Sequence, residues 1–222
     1  MKCGTTALHR YLGAHPDIAM SNPKELNFFF GSNWHRGVGW YAGNFPDALV
    51  CGESSPGYTS PDHPETAERM AAVIPDAKII LLVRDPVERA VSQYRHHWAD
   101  GDETRPLREA VFDHASQYVT RGRYYERLGP FLQHFAARQL AVVSSEELVA
   151  NPYGALGRLF RLVGVDDGPT SEIVGPRANA PPPRLPASAE TAAVRSDLRV
   201  LFRDDAERLR ELTGQDFPYW SV

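Results

Sequence analysis

A short polar segment at the start of the sequence carries residue types that bind phosphate. The segment Lys2–Thr6 precedes an amphipathic helical pattern. Gly4 permits a tight backbone turn, and the free N–H groups of a first helical turn favour an anion. Lys2 adds a cation, and Thr5 and Thr6 add hydroxyl groups. The segment predicts a phosphate-binding loop, with an ordinary capped helix as the alternative. It is not a Walker A motif, since GxxxxGK[ST] places the lysine after the second glycine.

A second group of polar residues follows the apolar run Ile79–Val83. Arg84 comes where that predicted strand ends, and ligands of open α/β sheets bind at the carboxyl ends of strands. Its guanidinium could make a charge-assisted contact to a phosphate, whereas helix capping or an ion pair is the alternative. Ser92 lies eight residues further on, about two turns into the next predicted helix. It stands apart from the apolar stripe that begins at Val87, so we expect its hydroxyl group to face a ligand.

Apolar runs and helical periodicities indicate the elements that position these residues. Short runs without alternation are typical of parallel strands covered on both faces, and they occupy Leu49–Glu53, Ile79–Val83 and Leu140–Ser144. Helical stripes follow, with expected starts at Asp85–Pro86, Tyr124, Asn151–Pro152 and Ser188. Strands that alternate with helices predict an α/β fold: three layers, with a central, mostly parallel sheet flanked by helices. The length of 222 residues favours a single domain that spans residues 1–222.

Composition excludes several classes of function. Hydrophobic residues make up 42% and charged residues 23%, as is typical of a globular chain. The net charge of −4 provides no polycation, so neither nucleic acid nor a membrane surface is an expected partner. The longest apolar runs, Met70–Ile74 and Ile79–Val83, are far shorter than the roughly 20 residues of a membrane span. Cys3 and Cys51 provide neither a disulfide framework nor a CxxC pair, and no apolar signal segment opens the sequence. We therefore expect a cytoplasmic protein that uses no metal.

Two motifs together resemble the nucleotide signatures of the sulfotransferases that use 3′-phosphoadenylyl sulfate (PAPS). The segment Lys2–Thr6 is similar to the family's loop around the 5′-phosphosulfate. The segment Val83–Ser92 is similar to the strand end, arginine and helical serine that bind the 3′-phosphate. The resemblance continues in the same order through Asn22–Phe29, Gly52–Tyr58, Arg121–Tyr124 and Glu146–Pro152. It covers nearly the whole chain and is greatest for the branch that includes heparan sulfate sulfotransferases and their bacterial relatives.

The resemblance implies a P-loop-like fold and transfer of a sulfuryl group from PAPS to a hydroxyl or amine of a glycan or small molecule. It implies two catalytic residues, with Lys2 neutralising the leaving phosphate and Glu25 acting as general base. The implied nucleotide contacts are Lys2, Gly4, Thr5, Thr6, Arg84, Ser92 and Arg177. The implied acceptor-side residues are Lys24, Glu53 and Tyr58. Tyr124 heads an apolar helical stripe, which favours a place in the core over stacking on the nucleotide.

Three departures from the family pattern bear on function. Some relatives carry His where this chain has Asn27, and others carry Lys where it has Ser54, so the acceptor stays open. In the family a buried central strand runs directly into the phosphate loop, whereas only Met1 precedes Lys2 here. We therefore expect Met1 to be an internal methionine of a longer reading frame, or the chain to be shortened, with the N-terminal strand missing.

Two other classes of function compete with the sulfotransferase hypothesis. A nucleotide kinase could use the same loop, but the Walker A order and an obvious Walker B strand are absent from the sequence. A non-catalytic nucleotide-binding protein is the second competitor. It is consistent with Ser54, which stands where some relatives carry a cation, and with the expected lack of the N-terminal strand. Nothing in the pattern predicts an oligomeric state.

Overall fold

Short apolar runs form parallel strands in the computed structural model of the chain, which describes residues 2–113, 116–166 and 189–222. Strand β1 (Ile18–Met20) pairs with β2 (Val50–Gly52), and β3 (Ile79–Val83) pairs with β4 (Leu140–Ser144), each pair in parallel. Within the described residues these pairs are separate two-stranded sheets. The sequence predicted β2, β3 and β4 but missed β1, a short strand that is defined by its tertiary pairing with β2.

Helices surround both sheets. Their bounds in the described ranges are α1 (Thr5–Gly13), α2 (Gly37–Ala42), α3 (Thr66–Val73), α4 (Pro86–Asp100), α5 (Leu107–Phe112), α6 (Gln117–Thr120), α7 (Tyr124–His134), α8 (Ser145–Ala150), α9 (Pro152–Val163) and α10 (Ala189–Thr213). Short 3₁₀ segments cover Gly31–Arg36, Pro56–Thr59 and Ala137–Gln139. None of the helices that the structure describes is both long and apolar enough to cross a bilayer.

Side-chain caps fix the starts of two helices that the sequence predicted. Asp85 Oδ1 accepts hydrogen bonds from the N–H groups of Val87 at 2.8 Å and Glu88 at 3.1 Å, and α4 begins there. Asn151 caps α9 in the same way. The start that the sequence predicted at Ser188 lies outside the described residues, although the helix itself is present as α10.

Alternate side chains of β3 face opposite helical layers. Ile80 and Leu82 pack in a cluster with α1 and α9. Leu81 and Val83 pack on the other face, in a cluster with α7 and α10. This alternation produces helix–sheet–helix layering and confirms the predicted α/β class.

Two residues of α4 differ in burial from the sequence prediction. The helical spacing that begins at Val87 predicts Trp98 on the buried stripe, but Trp98 is 49% exposed, because it lies in the last turn of the helix beyond the packed residues. Ser92 was expected to stand apart from the core but is only 6% exposed. The buried face of α4 is therefore wider near its middle than the apolar residues alone indicated.

A cavity of about 490 Å³ lies between the two sheets. Both β2 and β3 line it, together with Thr5, Leu8 and Leu12 of α1. Side chains from α3 and α7, including Met70 and Phe131, line it as well. We call this space the inter-sheet cavity.

Candidate active site

The segment Lys2–Thr6, which is the predicted phosphate loop, leads into α1. Gly4 precedes the helix with φ at +90°, a left-handed conformation in which a side chain would be strained. Its carbonyl oxygen accepts the N–H of Ala7 at 3.0 Å, which starts the helical hydrogen bonding. The first N–H groups of a helix have no acceptor within it. The loop therefore presents donors to an anion.

Arg84 lies against this loop. Its Nη1 donates to the carbonyl oxygen of Lys2 at 3.4 Å. Because Arg84 directly follows β3, the two predicted nucleotide motifs meet at the carboxyl end of that strand. A single ligand can therefore contact both motifs.

The ammonium of Lys2 is partly buried. Burial lowers its pKa, while the carboxylate of Asp100, at the end of α4, raises it. A negative charge at the end of α4 therefore favours the charged form of this ammonium.

Tyr124 joins the two motifs from the core. Its hydroxyl donates to the carbonyl oxygen of Arg84 at 2.9 Å and accepts the N–H of Arg84 at 3.3 Å. The same hydroxyl lies 3.8 Å from Cys3 Sγ in the phosphate loop. Burial raises the pKa of the Tyr124 hydroxyl, and the residue is 4% exposed. The predicted core position is therefore right, but the sequence did not indicate these polar contacts.

The C-terminal segment packs against the same corner of the site. Trp220 stacks on Phe217 with ring centroids 4.3 Å apart, and its ring lies 5.7 Å from that of Tyr124. The N–H of Ser221 donates to Asp85 Oδ2 at 2.5 Å. No local pattern in the sequence predicts this docking, because it depends on partners far away along the chain.

Lys24 connects the phosphate loop to the candidate general base. Its Nζ lies 2.7 Å from Glu25 Oε1 and donates to Thr5 Oγ1 at 3.4 Å. It also donates to the carbonyl oxygen of Ser54 at 3.3 Å. The Glu25 side chain is 45% exposed, so its carboxylate is accessible to an acceptor molecule.

Glu53 and Tyr58 lie beneath the segment that carries Glu25. Glu53 Oε2 accepts the N–H of Leu26 at 3.3 Å, and Glu53 Oε1 accepts the Tyr58 hydroxyl at 2.5 Å. That hydroxyl in turn accepts the N–H of Phe28 at 3.0 Å. Burial raises the pKa of the Glu53 carboxyl, although its hydrogen bonds act in the opposite direction. Both predicted acceptor-side residues therefore hold the backbone on which Glu25 sits.

His9 is a residue of this site that the sequence reasoning missed. Its Nδ1 lies 3.1 Å from Ser54 Oγ. Burial lowers the pKa of His9, and the charge of Lys24 lowers it further. The available signal was spacing, since Thr5 and His9 are four residues apart and therefore share one face of α1.

The other predicted nucleotide contacts are Ser92 and Arg177. Ser92 is buried in α4. One turn earlier in the same helix, the Glu88 carboxylate accepts a hydrogen bond from Arg195 Nε at 2.8 Å. Arg177 lies outside the described residues. Across the described ranges, no group of three or more His, Cys, Asp or Glu side chains is arranged to hold a metal ion.

Residues 28–169, more than half of the chain, match the model of a family described as the sulfotransferase family. The chain belongs to this sulfotransferase family. The matched range includes Glu53, Arg84 and Tyr124, whereas the phosphate loop and Glu25 precede it.

Curated relatives of this sulfotransferase-family chain carry heparan sulfate in their names. A bifunctional heparan sulfate N-deacetylase/N-sulfotransferase 1 from Caenorhabditis elegans is 32% identical over 185 residues, which cover 76% of this chain and 22% of that protein. The heparan sulfate glucosamine 3-O-sulfotransferase 6 of Mus musculus is 28% identical over 249 residues, which cover 97% of this chain and 70% of that protein. The chain thus spans about a fifth of the bifunctional relative.

A solved structure confirms the fold. The crystal structure of a sulfotransferase from Alicyclobacillus acidocaldarius matches with a TM-score of 0.79 and 28% sequence identity, covering 100% of this chain and 95% of that one. The predicted P-loop-like fold of the sulfotransferases is therefore the fold of this chain.

Proposed function

We propose that this chain transfers a sulfuryl group from PAPS to a hydroxyl or amine of a glycan or small molecule. The contact between Arg84 and the Lys2 carbonyl supports this most directly, because it joins two anion-binding motifs in one site. PAPS carries a 5′-phosphosulfate and a 3′-phosphate on one ribose. The N–H groups of the loop suit the first group, and the Arg84 guanidinium suits the second.

The charges around the loop fit an anionic donor. Lys24 Nζ lies 3.4 Å from Thr5 Oγ1, on the side of the loop that faces Glu25. Burial lowers the pKa of Lys2, which means that its ammonium is partly desolvated. A bound phosphosulfate would compensate that cost by supplying an opposite charge.

We assign a residue of the site to each step of the proposed transfer. The acceptor oxygen or nitrogen forms a bond to sulfur while the bond between sulfur and the bridging phosphate oxygen breaks. Glu25 accepts the proton that the acceptor loses. The electron pair of the broken bond stays on the phosphate, so negative charge grows at the loop. There the backbone N–H groups, Lys2 and Lys24 stabilise it, as in phosphoryl transfer.

The ammonium of Lys24 lies close to position 54, where some relatives carry a lysine. Those relatives carry Lys where this chain has Ser54, and Lys24 Nζ donates to the Ser54 carbonyl. His9 contacts the hydroxyl of the same residue. We therefore expect Lys24, rather than a residue at position 54, to provide the positive charge between donor and acceptor.

The experiment is a transfer assay with sulfur-labelled PAPS. Glucosamine-containing oligosaccharides lead the acceptor panel, followed by small alcohols and amines. The wild type and the matched control Glu68→Ala, which changes an exposed carboxylate on α3, should both label an acceptor. Glu25→Ala should bind 3′-phosphoadenosine 5′-phosphate normally but transfer about 10²–10⁴-fold more slowly.

Other results distinguish the competing functions. Nucleotide binding without labelling of any acceptor would favour a non-catalytic binding protein. Phosphoryl transfer from ATP would favour a kinase. Neither labelling nor affinity for the product nucleotide would contradict the proposal.

A further inference from the structure

We propose that His9 is a positioning residue for the transfer, because it fixes Ser54 and thereby the ammonium of Lys24. This role rests on the proposed function, and no motif of the sequence assigned it. The contacts of His9 and Ser54, and the place of His9 on α1, carry it.

The backbone of Ser54 holds Lys24 at two points. The N–H of Ser54 donates to the carbonyl oxygen of Lys24 at 3.1 Å, and the carbonyl oxygen of Ser54 accepts Lys24 Nζ at 3.3 Å. One residue therefore binds both the main chain and the side chain of Lys24. Because a rotation of the backbone at Ser54 would disturb both contacts, the place of the ammonium depends on what fixes Ser54.

His9 fixes the side chain of Ser54 from helix α1. Its Nδ1 lies 3.1 Å from Ser54 Oγ, although 45 positions separate the two residues. Either tautomer of the ring keeps this contact, since Nδ1 can accept from the hydroxyl group or donate to it. The hydroxyl group of Ser54 is therefore tied to the helix that follows the phosphate loop.

Helix α1 contacts the Lys24 segment through two residues on one face. Thr5 and His9 are four positions apart, and side chains at this spacing lie one above the other on a helix. Thr5 Oγ1 accepts Lys24 Nζ at 3.4 Å, whereas His9 acts through Ser54. The same Nζ lies 2.7 Å from Glu25 Oε1. Loss of the His9 contact should therefore leave the ammonium less firmly held between the phosphate loop and the general base.

The imidazole of His9 suits a place beside an ammonium. Burial lowers the pKa of His9, and the charge of Lys24 lowers it further. A neutral ring makes its hydrogen bond without the like-charge repulsion that a second ammonium would add. Because Nδ1 faces Ser54, His9 acts on the reaction through Lys24 and does not replace Glu25 as the general base.

The experiment compares variants of this pair in the transfer assay with labelled PAPS. His9→Leu removes the hydrogen bond, whereas His9→Asn keeps a donor and an acceptor near the place of Nδ1. Ser54→Ala removes the hydroxyl group, and combining it with His9→Leu completes a double-mutant cycle. The matched control is His134→Leu, at an exposed position in the last turn of α7.

His9→Leu should lower kcat about 5–10-fold, while KM for PAPS and affinity for 3′-phosphoadenosine 5′-phosphate change less than about twofold. His9→Asn should recover kcat to within about twofold of the wild type, because the hydrogen bond matters and not the ring. Ser54→Ala should lose as much as His9→Leu, and the double variant should lose no more than either. A general loss of folding would instead lower nucleotide affinity together with kcat.

A second measurement follows the ammonium of Lys24 without turnover. The sequence contains three lysines, Lys2, Lys24 and Lys78, so the nitrogen NMR signals of their ammonium groups can be assigned in lysine-labelled protein. Exchange of the Lys24 ammonium protons with water should quicken about fivefold in His9→Leu and Ser54→Ala but not in His9→Asn. The exposed Lys78 provides the internal reference.

Three results would each overturn the proposal. The first is a kcat of His9→Leu within about twofold of His134→Leu, and the second is a double variant in which the two single losses multiply. The third is an unchanged Lys24 signal in His9→Leu. If the wild type labels no acceptor, the proposed transfer fails, and the ammonium signal alone then decides whether His9 holds Lys24.

Discussion

Arg84 Nη1 lies 3.4 Å from the carbonyl oxygen of Lys2, although 82 positions separate the two residues in the sequence. The contact brings the start of α1 and the end of β3 onto one surface. Tyr124 fixes the arrangement from the core, since its hydroxyl binds both the N–H and the carbonyl of Arg84. A ligand with two separated anionic groups can therefore contact the loop and the guanidinium together.

Tyr124→Phe should loosen this arrangement while keeping the ring in the core. The Arg84 N–H and carbonyl would lose a buried partner, which costs about 1–3 kcal/mol of folding stability. We expect affinity for 3′-phosphoadenosine 5′-phosphate to fall about tenfold, measured by calorimetry alongside urea unfolding. The matched control is Tyr125→Phe, which removes a phenol from the neighbouring position of α7. Unchanged affinity and stability in Tyr124→Phe would contradict a positioning role.

Lys24→Met should lower kcat by about 10²–10³-fold, with a smaller effect on nucleotide affinity. The reason is that Lys24 contacts both Thr5 and Glu25, where charge develops during transfer. We expect Lys2→Met to show a loss of the same size. Lys78→Met, at an exposed lysine ahead of β3, is the control. A kcat within threefold of the control in Lys24→Met would show that this ammonium does not act in the reaction.

The sequence predicted the features of this site that depend on local patterns. The strand Ile79–Val83, the cap at Asp85 and the loop before α1 each follow from a few neighbouring residues. The hydroxyl contacts of Tyr124 could not be predicted in this way, because they depend on partners 40 positions away at Arg84. His9 was missed for the same reason, since its partner Ser54 is 45 positions away.

The division of the sheet and the burial of Ser92 were also beyond the local pattern. A serine that stands apart from an apolar stripe is usually exposed, yet the packing around the middle of α4 buries Ser92. Strand β1 has three residues, and its existence depends on pairing with β2. Such features arise from tertiary contacts, which override local periodicity.

Glu53→Gln should change the pH dependence of stability. Burial raises the pKa of the Glu53 carboxyl above 4.5, so the folded chain keeps this proton to a higher pH than the unfolded chain. The contribution of the protonated Glu53 carboxyl to the free energy of unfolding is fully present below pH 4.5. It is lost as the pH rises through the pKa of this carboxyl in the folded chain. The free energy of unfolding of the wild type, relative to Glu53→Gln, should therefore fall between pH 4.5 and 7. A constant difference across that range, as expected for the exposed control Glu68→Gln, would contradict the role of burial.

His9→Gln should alter stability on the other side of neutrality. Because burial lowers the pKa of His9, the unfolded chain binds more protons than the folded chain below pH 6.5. The free energy of unfolding of the wild type should fall as the pH drops through 6.5 towards the folded pKa, and His9→Gln should remove that fall. Urea unfolding between pH 7.5 and 5 measures it, with His35→Gln at an exposed position as the control. If both variants follow the wild type, His9 does not titrate as its surroundings indicate.

The central claim is that the phosphate loop and Arg84 hold opposite ends of one nucleotide. Calorimetric titration of the wild type and Arg84→Ala with 3′-phosphoadenosine 5′-phosphate and with adenosine 5′-phosphate tests it directly. In the wild type, loss of the 3′-phosphate should weaken binding about 10–100-fold, whereas in Arg84→Ala the two ligands should differ by less than about threefold. An equal penalty for the missing 3′-phosphate in both proteins would contradict the account.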